Sequence, residues 1–173
     1  GKHQSLTKNA LPDILSKALS VTFDNSIGHD YLKDADSRYE FYHTVEERTP
    51  FDLDYLNKIT KGGLPNKSLN IVLAGTGVGK SLFMCHCASA ELAQGTNVLY
   101  ITLEMSEERI AERIDANLMD VPLDQIEALS KDMFVNKVTK IADKTQGKLI
   151  IKEYPTGQAH SGHFRGLLNE LKL

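Results

Sequence analysis

The residues best suited to chemistry form one run, Ala74-Gly75-Thr76-Gly77-Val78-Gly79-Lys80-Ser81. A phosphate-binding loop requires Gly, four residues, then Gly-Lys-Ser/Thr. Gly79, Lys80 and Ser81 match that spacing, and Ala74 departs from it at the first position. Gly75 and Gly77 keep the backbone free to adopt positive φ and keep side chains away from an incoming anion. Main-chain N–H groups from Ala74 to Leu82 can then curl around phosphate oxygens at the positive end of a helix. Lys80 is placed to neutralise the β- and γ-phosphates, and the Ser81 hydroxyl to ligate magnesium. The implied ligand is a nucleoside triphosphate, ATP or GTP, with Mg²⁺. The competing reading is an ordinary glycine-rich turn, and the apolar run before the loop and the helical pattern after it argue against that.

Glu104 is the second candidate. It stands at the end of the next expected strand, and in a parallel sheet the carboxyl ends of neighbouring strands share one crevice. A carboxylate there can orient and deprotonate a water that attacks a γ-phosphate. Spacing alone serves a solvated or helix-capping glutamate equally well.

The elements that must position these residues follow from periodicity. Residues 69–73 (Leu-Asn-Ile-Val-Leu) read as a buried strand leading into the loop. Residues 80–94 read as a helix with Gly95 beyond its end. Residues 97–104 give a second strand. Ser106 caps a helix running to about Leu118, with Glu107 and Glu108 in its first turn. More helix is expected from Leu123 to Lys144, broken near Ser130, then a strand over 148–154 and a last helix from Ser161. The alternation predicts an α/β fold, a parallel sheet flanked by helices. Upstream, residues 9–21 read as an amphipathic helix, with Leu11, Ile14, Leu15, Ala18 and Leu19 on one stripe. Residues 22–50 read as an irregular arm containing one helix around 31–43. Phe51, Leu53, Leu56 and Ile59 make a further stripe ended by Gly62 and Gly63.

Composition excludes little. The net charge of −3 argues neither for nor against a nucleic-acid partner, so any basic surface must be local. No apolar run approaches the roughly 20 residues that span a bilayer, and no secretory signal is visible. Cys85 and Cys87 lie two apart on a helix and point in nearly opposite directions, as small hydrophobes of a reduced cytoplasmic protein. His160 and His163 share a helix face but lack further metal ligands nearby.

Residues 49–114 resemble hexameric replicative DNA helicases of the DnaB type, closest to the T-even-type bacteriophage branch. The resemblance rests on Thr49-Pro50-Phe51-Asp52-Leu53-Asp54 leading to Gly62-Gly63, on the phosphate loop, and on Thr102-Leu103-Glu104-Met105-Ser106 with Arg109 or Arg113 after it. It implies a RecA-like ATPase domain that couples ATP or GTP hydrolysis to 5′→3′ unwinding, with Glu104 as catalytic base. It also implies that residues 1–21 are a linker helix docking on the neighbouring subunit of a homohexamer, with 22–50 as the arm. Single-stranded DNA, primase and a helicase loader are the implied partners, in the host cytoplasm if phage-encoded. Residues 51–173 would be the N-terminal part of the RecA-like domain, truncated before the Walker B aspartate, the arginine finger and the DNA-binding loops. Two other readings stand beside this one: a non-catalytic assembly fragment, and a recombinase-type or kinase P-loop domain.

Overall fold

The computed structural model describes residues 28–171. The amphipathic helix expected at 9–21, with its linker role, lies outside the described residues. The chain divides into two compact units after Val45.

The described part of the first unit is built around α1 (Ala35–His43). Asp30 and Asp34 shape its entry: the Asp30 carboxylate accepts from the Leu32 and Lys33 amides at 3.3 Å, and Asp34 accepts from the Asp30 amide at 2.8 Å. Such side-chain turns compete with helix and so set its start. Tyr31 therefore precedes α1, which starts later than the helix expected around 31–43, and the Arg38 guanidinium lies 4.3 Å over the Tyr31 ring. Tyr39, Phe41 and Tyr42 are all exposed.

The second unit begins with a two-stranded antiparallel ribbon, β1 (Arg48–Thr49) on β2 (Leu64–Pro65). Between them lies α2 (Asp54–Ile59). Phe51 and Leu53 do not join that helix, because Asn57 clamps the chain ahead of it. The Asn57 side chain accepts from the Phe51 amide at 2.7 Å and donates to the Phe51 carbonyl at 2.6 Å. Gly62 and Gly63 follow with φ of 108° and 115°, as a helix stop requires.

The main layer contains α3 (Lys80–Ala93), β3 (Val98–Thr102), α4 (Glu107–Met119), α5 (Lys131–Lys144), β4 (Leu149–Glu153) and α6 (Ser161–Leu171). β3 and β4 pair in parallel with Val98 opposite Leu149 and Thr102 opposite Glu153. Helices α3 and α4 bury Cys85, Ala88, Ile110 and Ile114 against Val98, Tyr100, Leu149 and Ile151. Residues two apart along each strand share a face, so this alternation gives the sheet one apolar side.

The helix ends carry their expected signals. Ser106 accepts from the Arg109 amide and Ser130 from the Met133 amide, both at 3.3 Å, so the 123–144 stretch breaks at Ser130. At the end of α3, Gly95 donates to Leu92 and Thr96 to Glu91, each at 3.0 Å, with Gly95 at φ 90°. This paired closure satisfies carbonyls that the helix leaves open.

One expected element is missing. Residues 69–73 are not a strand, and Leu69, Ile71 and Leu73 are exposed. A strand is held by its neighbour's hydrogen bonds, and β3 and β4 pair only with each other among the described residues. Apolar side chains alone do not supply a ladder. The 69–73 run instead borders a cleft of about 680 Å³ that also takes in Phe51, Leu56, Phe83 and Leu99.

Candidate nucleotide site

The phosphate loop occupies residues 74–79 and feeds directly into α3. Gly77 and Gly79 take φ of 74° and 106°, the left-handed region that an L side chain resists. Gly79 is the residue immediately before the helix. These two glycines turn the chain into the N-terminus of a helix 14 residues long. Apart from the turn at Thr76–Gly77, no hydrogen bond from the main-chain N–H groups of Gly75 to Leu82 is found among the described residues. In α3 the first amide with an acceptor is that of Phe83, which donates to the Gly79 carbonyl at 2.9 Å. Unclaimed amides at a helix N-terminus suit an anion with several acceptor oxygens.

Lys80 closes the loop. Its ammonium donates to the Ala74 carbonyl at 2.9 Å and the Gly75 carbonyl at 2.8 Å. The structure thus brings Ala74, Gly75 and Lys80 together across the loop mouth. Ser81 and Leu82 are exposed in the first helical turn, and Thr76 and Val78 at the loop tip. The donor set fits a Mg-nucleotide: main-chain amides and one ammonium for the phosphates, and one free hydroxyl, Ser81, for the metal.

Glu104 lies two residues beyond β3, in the turn before α4, and is exposed. That turn is locked by Thr102, whose buried hydroxyl accepts from the Met105 amide at 3.1 Å and donates to the Met105 carbonyl at 2.8 Å. No hydrogen bond or ion pair engages the Glu104 carboxylate among the described residues. The structure therefore does not join Glu104 to Lys80 or Ser81, although both segments lead into helices packed on each other. Arg109 is paired to Glu112 at 2.7 Å, which raises its pKa.

A model of the DnaB-like helicase C-terminal domain matches residues 49–163, which takes in the loop, Glu104 and the sheet. The chain belongs to the DnaB-like helicase C-terminal domain family. It is 49% identical over 167 residues to a "DnaB-like replicative helicase" of Enterobacteria phage T4, covering 95% of this chain and 35% of that relative. The chain therefore spans 35% of the length of the curated relative it matches. The DnaB-like domain is RecA-like, and the parallel β3–β4 pair with helices packed on it accords with that architecture. No described helix is long and apolar enough to cross a membrane.

The two cysteines and paired histidines take structural places in this DnaB-like domain. Cys85 is buried, with its thiol 3.8 Å from the Tyr100 hydroxyl. Burial, followed by that thiol contact, pushes the Tyr100 phenol up to about 12. Burial, then the Asp52 and Glu91 carboxylates, raises the Cys87 thiol. His160 accepts from the Gly162 amide at 3.1 Å at the start of α6, and its ring lies 3.9 Å from that of His163.

Sequence reasoning missed one cluster. His86 Nε2 lies 2.9 and 2.8 Å from the two Asp52 carboxylate oxygens, and the Asn117 amide nitrogen lies 2.9 Å from His86 Nδ1. Separations of 34 and 31 residues carry no periodic signal.

Proposed function

We propose that this chain is the nucleotide-binding part of a replicative helicase motor, in which ATP or GTP hydrolysis drives 5′→3′ unwinding of duplex DNA by a hexameric ring. The observation that carries the reading is the run of unclaimed amides from Gly79 to Leu82 at the start of α3, with Lys80 folded back onto the loop. On nucleotide entry the Lys80 ammonium leaves the Ala74 and Gly75 carbonyls and neutralises the β- and γ-phosphates. The Ser81 hydroxyl would hold Mg²⁺, whose charge would offset that of the phosphate oxygens. Glu104 takes the proton of the attacking water. Its freedom from other partners supports that role.

Residues 1–21, outside the described residues, would act as the linker to a neighbouring subunit, 22–50 as the arm, and 51–173 as part of the RecA-like domain. Single-stranded DNA, primase and a loader are the partners that the family suggests. The test is Lys80→Ala in the full-length protein. Loss of nucleotide binding and of unwinding is expected, and undiminished unwinding refutes the assignment.

A second reading concerns the chain taken alone. The unpaired 69–73 run favours a segment that binds Mg-nucleotide without turning it over. Steady ATP hydrolysis by residues 1–173 contradicts it.

A further inference from the structure

The helices that begin at Lys80 and just after Glu104 meet through Cys85, Ala88, Ile110 and Ile114. Apolar packing of this kind is non-directional and leaves the axial register of two helices weakly fixed. The distance between the phosphate loop and Glu104 depends on that register, because α3 carries one and α4 follows the other. One directional bond runs between these helices on their polar side, from Asn117 of α4 to His86 of α3 at 2.9 Å. The same imidazole is anchored at its other nitrogen by Asp52, at 2.8 and 2.9 Å.

A carboxylate can only accept, so Nε2 donates to Asp52; with the Asn117 amide nitrogen facing the ring, Nδ1 accepts from it. Asp52 in turn follows Phe51, whose amide and carbonyl are both held by Asn57. Arg48 reaches from β1 to the Thr60 and Gly63 carbonyls at 3.1 and 3.3 Å. The ribbon and α2 are therefore cross-tied, and His86 links them to both helices of the site.

We infer that His86 is a positioning residue for the hydrolytic step: bonded between Asp52 and Asn117, it sets the register of α3 on α4 and so the reach of Glu104 toward nucleotide held by Lys80 and Ser81. The inference rests on the function proposed above. It makes His86 matter for turnover and not for nucleotide affinity, since the amides and ammonium that grip phosphate belong to the loop itself. Misplacing catalytic groups by about 1 Å from a distant change costs about a hundredfold in rate.

The test compares His86→Leu with His86→Gln in the full-length protein, by steady-state ATP hydrolysis and thermal melting. Gln can still donate to Asp52 and accept from Asn117, whereas Leu only fills space. His86→Leu is expected to lower kcat about ten- to a hundredfold while KM stays within about twofold, with His86→Gln recovering most of the loss. Wild-type kcat in both variants, or a lowered melting temperature with unchanged kcat, overturns the inference. So does rescue by Leu and not Gln, which would mark a packing role. If His86→Leu does not fold, Asn117→Ser decides, since it removes the bond to Nδ1 and leaves Asp52 in place; an unchanged kcat there is equally fatal. Lys80→Ala in the same assay separates the two levels. Undiminished hydrolysis in Lys80→Ala defeats the site assignment, whereas its loss beside wild-type His86 variants defeats the positioning role alone.

Discussion

Thr102 and Met105 hold each other through a single oxygen: the Thr102 hydroxyl donates to the Met105 carbonyl at 2.8 Å and accepts from its amide at 3.1 Å. The turn between them carries Leu103 and Glu104, so this pairing decides where the carboxylate starts. Thr102→Val keeps the shape, removes the hydroxyl and leaves a main-chain amide without its acceptor. A loss of about 1–3 kcal/mol is expected in denaturant titration, together with slower hydrolysis in the full-length protein.

Glu104→Gln preserves size and removes the proposed base. Nucleotide binding by calorimetry should stay near wild type, while turnover falls about 10²–10⁴-fold. A wild-type rate would move the base to another residue.

Two glycines separate space from conformation. A Cβ on Gly63 would stand 2.0 Å from the Thr49 carbonyl oxygen, whereas one on Gly79 would meet nothing within 4 Å. Both have positive φ. Gly79→Ala should therefore cost only the conformational penalty of about 1–2 kcal/mol, with weakened nucleotide binding. Gly63→Ala should cost more and open the β1–β2 ribbon, as thermal melts and amide exchange at Thr49 would record.

Ser106 and Ser130 are equivalent caps, each accepting from the amide three residues on. Ser106→Ala and Ser130→Ala should each lower stability by about 1 kcal/mol. Only Ser106→Ala should also affect turnover, because its helix starts beside Glu104. Equal effects on turnover would contradict this.

Burial raises the Asp115 carboxyl above its usual range. The folded chain then holds this proton more tightly than the unfolded chain, so the group disfavours folding as pH rises through that window. Asp115→Asn removes the effect. Its stability advantage over wild type should grow as pH rises from about 4, the ordinary carboxylate value, and level off once pH passes the raised value. A constant difference across that range would show that Asp115 titrates alike in both states.

Local signals in the sequence were legible where they act locally. Ser106, Ser130, Gly95 and the Gly62–Gly63 stop all satisfy or interrupt backbone within a few residues of themselves, and the structure places each where spacing predicts. The glycines of the phosphate loop belong to the same class. The 69–73 run was misread because apolar content signals burial, while a strand also needs a partner that no local pattern supplies. Phe51 and Leu53 fit a helical stripe but stay outside α2, since the Asn57 side chain offers the Phe51 backbone a competing pair of bonds. The Asp52–His86–Asn117 connection was invisible for a related reason: three segments must meet before its chemistry exists.

The parallel register that sets Val98 against Leu149 has a kinetic consequence. Both α4 and α5 lie between the two strands in the chain, so the sheet closes only after a long excursion has been brought back on itself. Helix formation inside that excursion is fast and helped by its own serine caps, whereas docking β4 beside β3 bears the entropy of loop closure. The seam between these strands should therefore be among the last contacts made during folding.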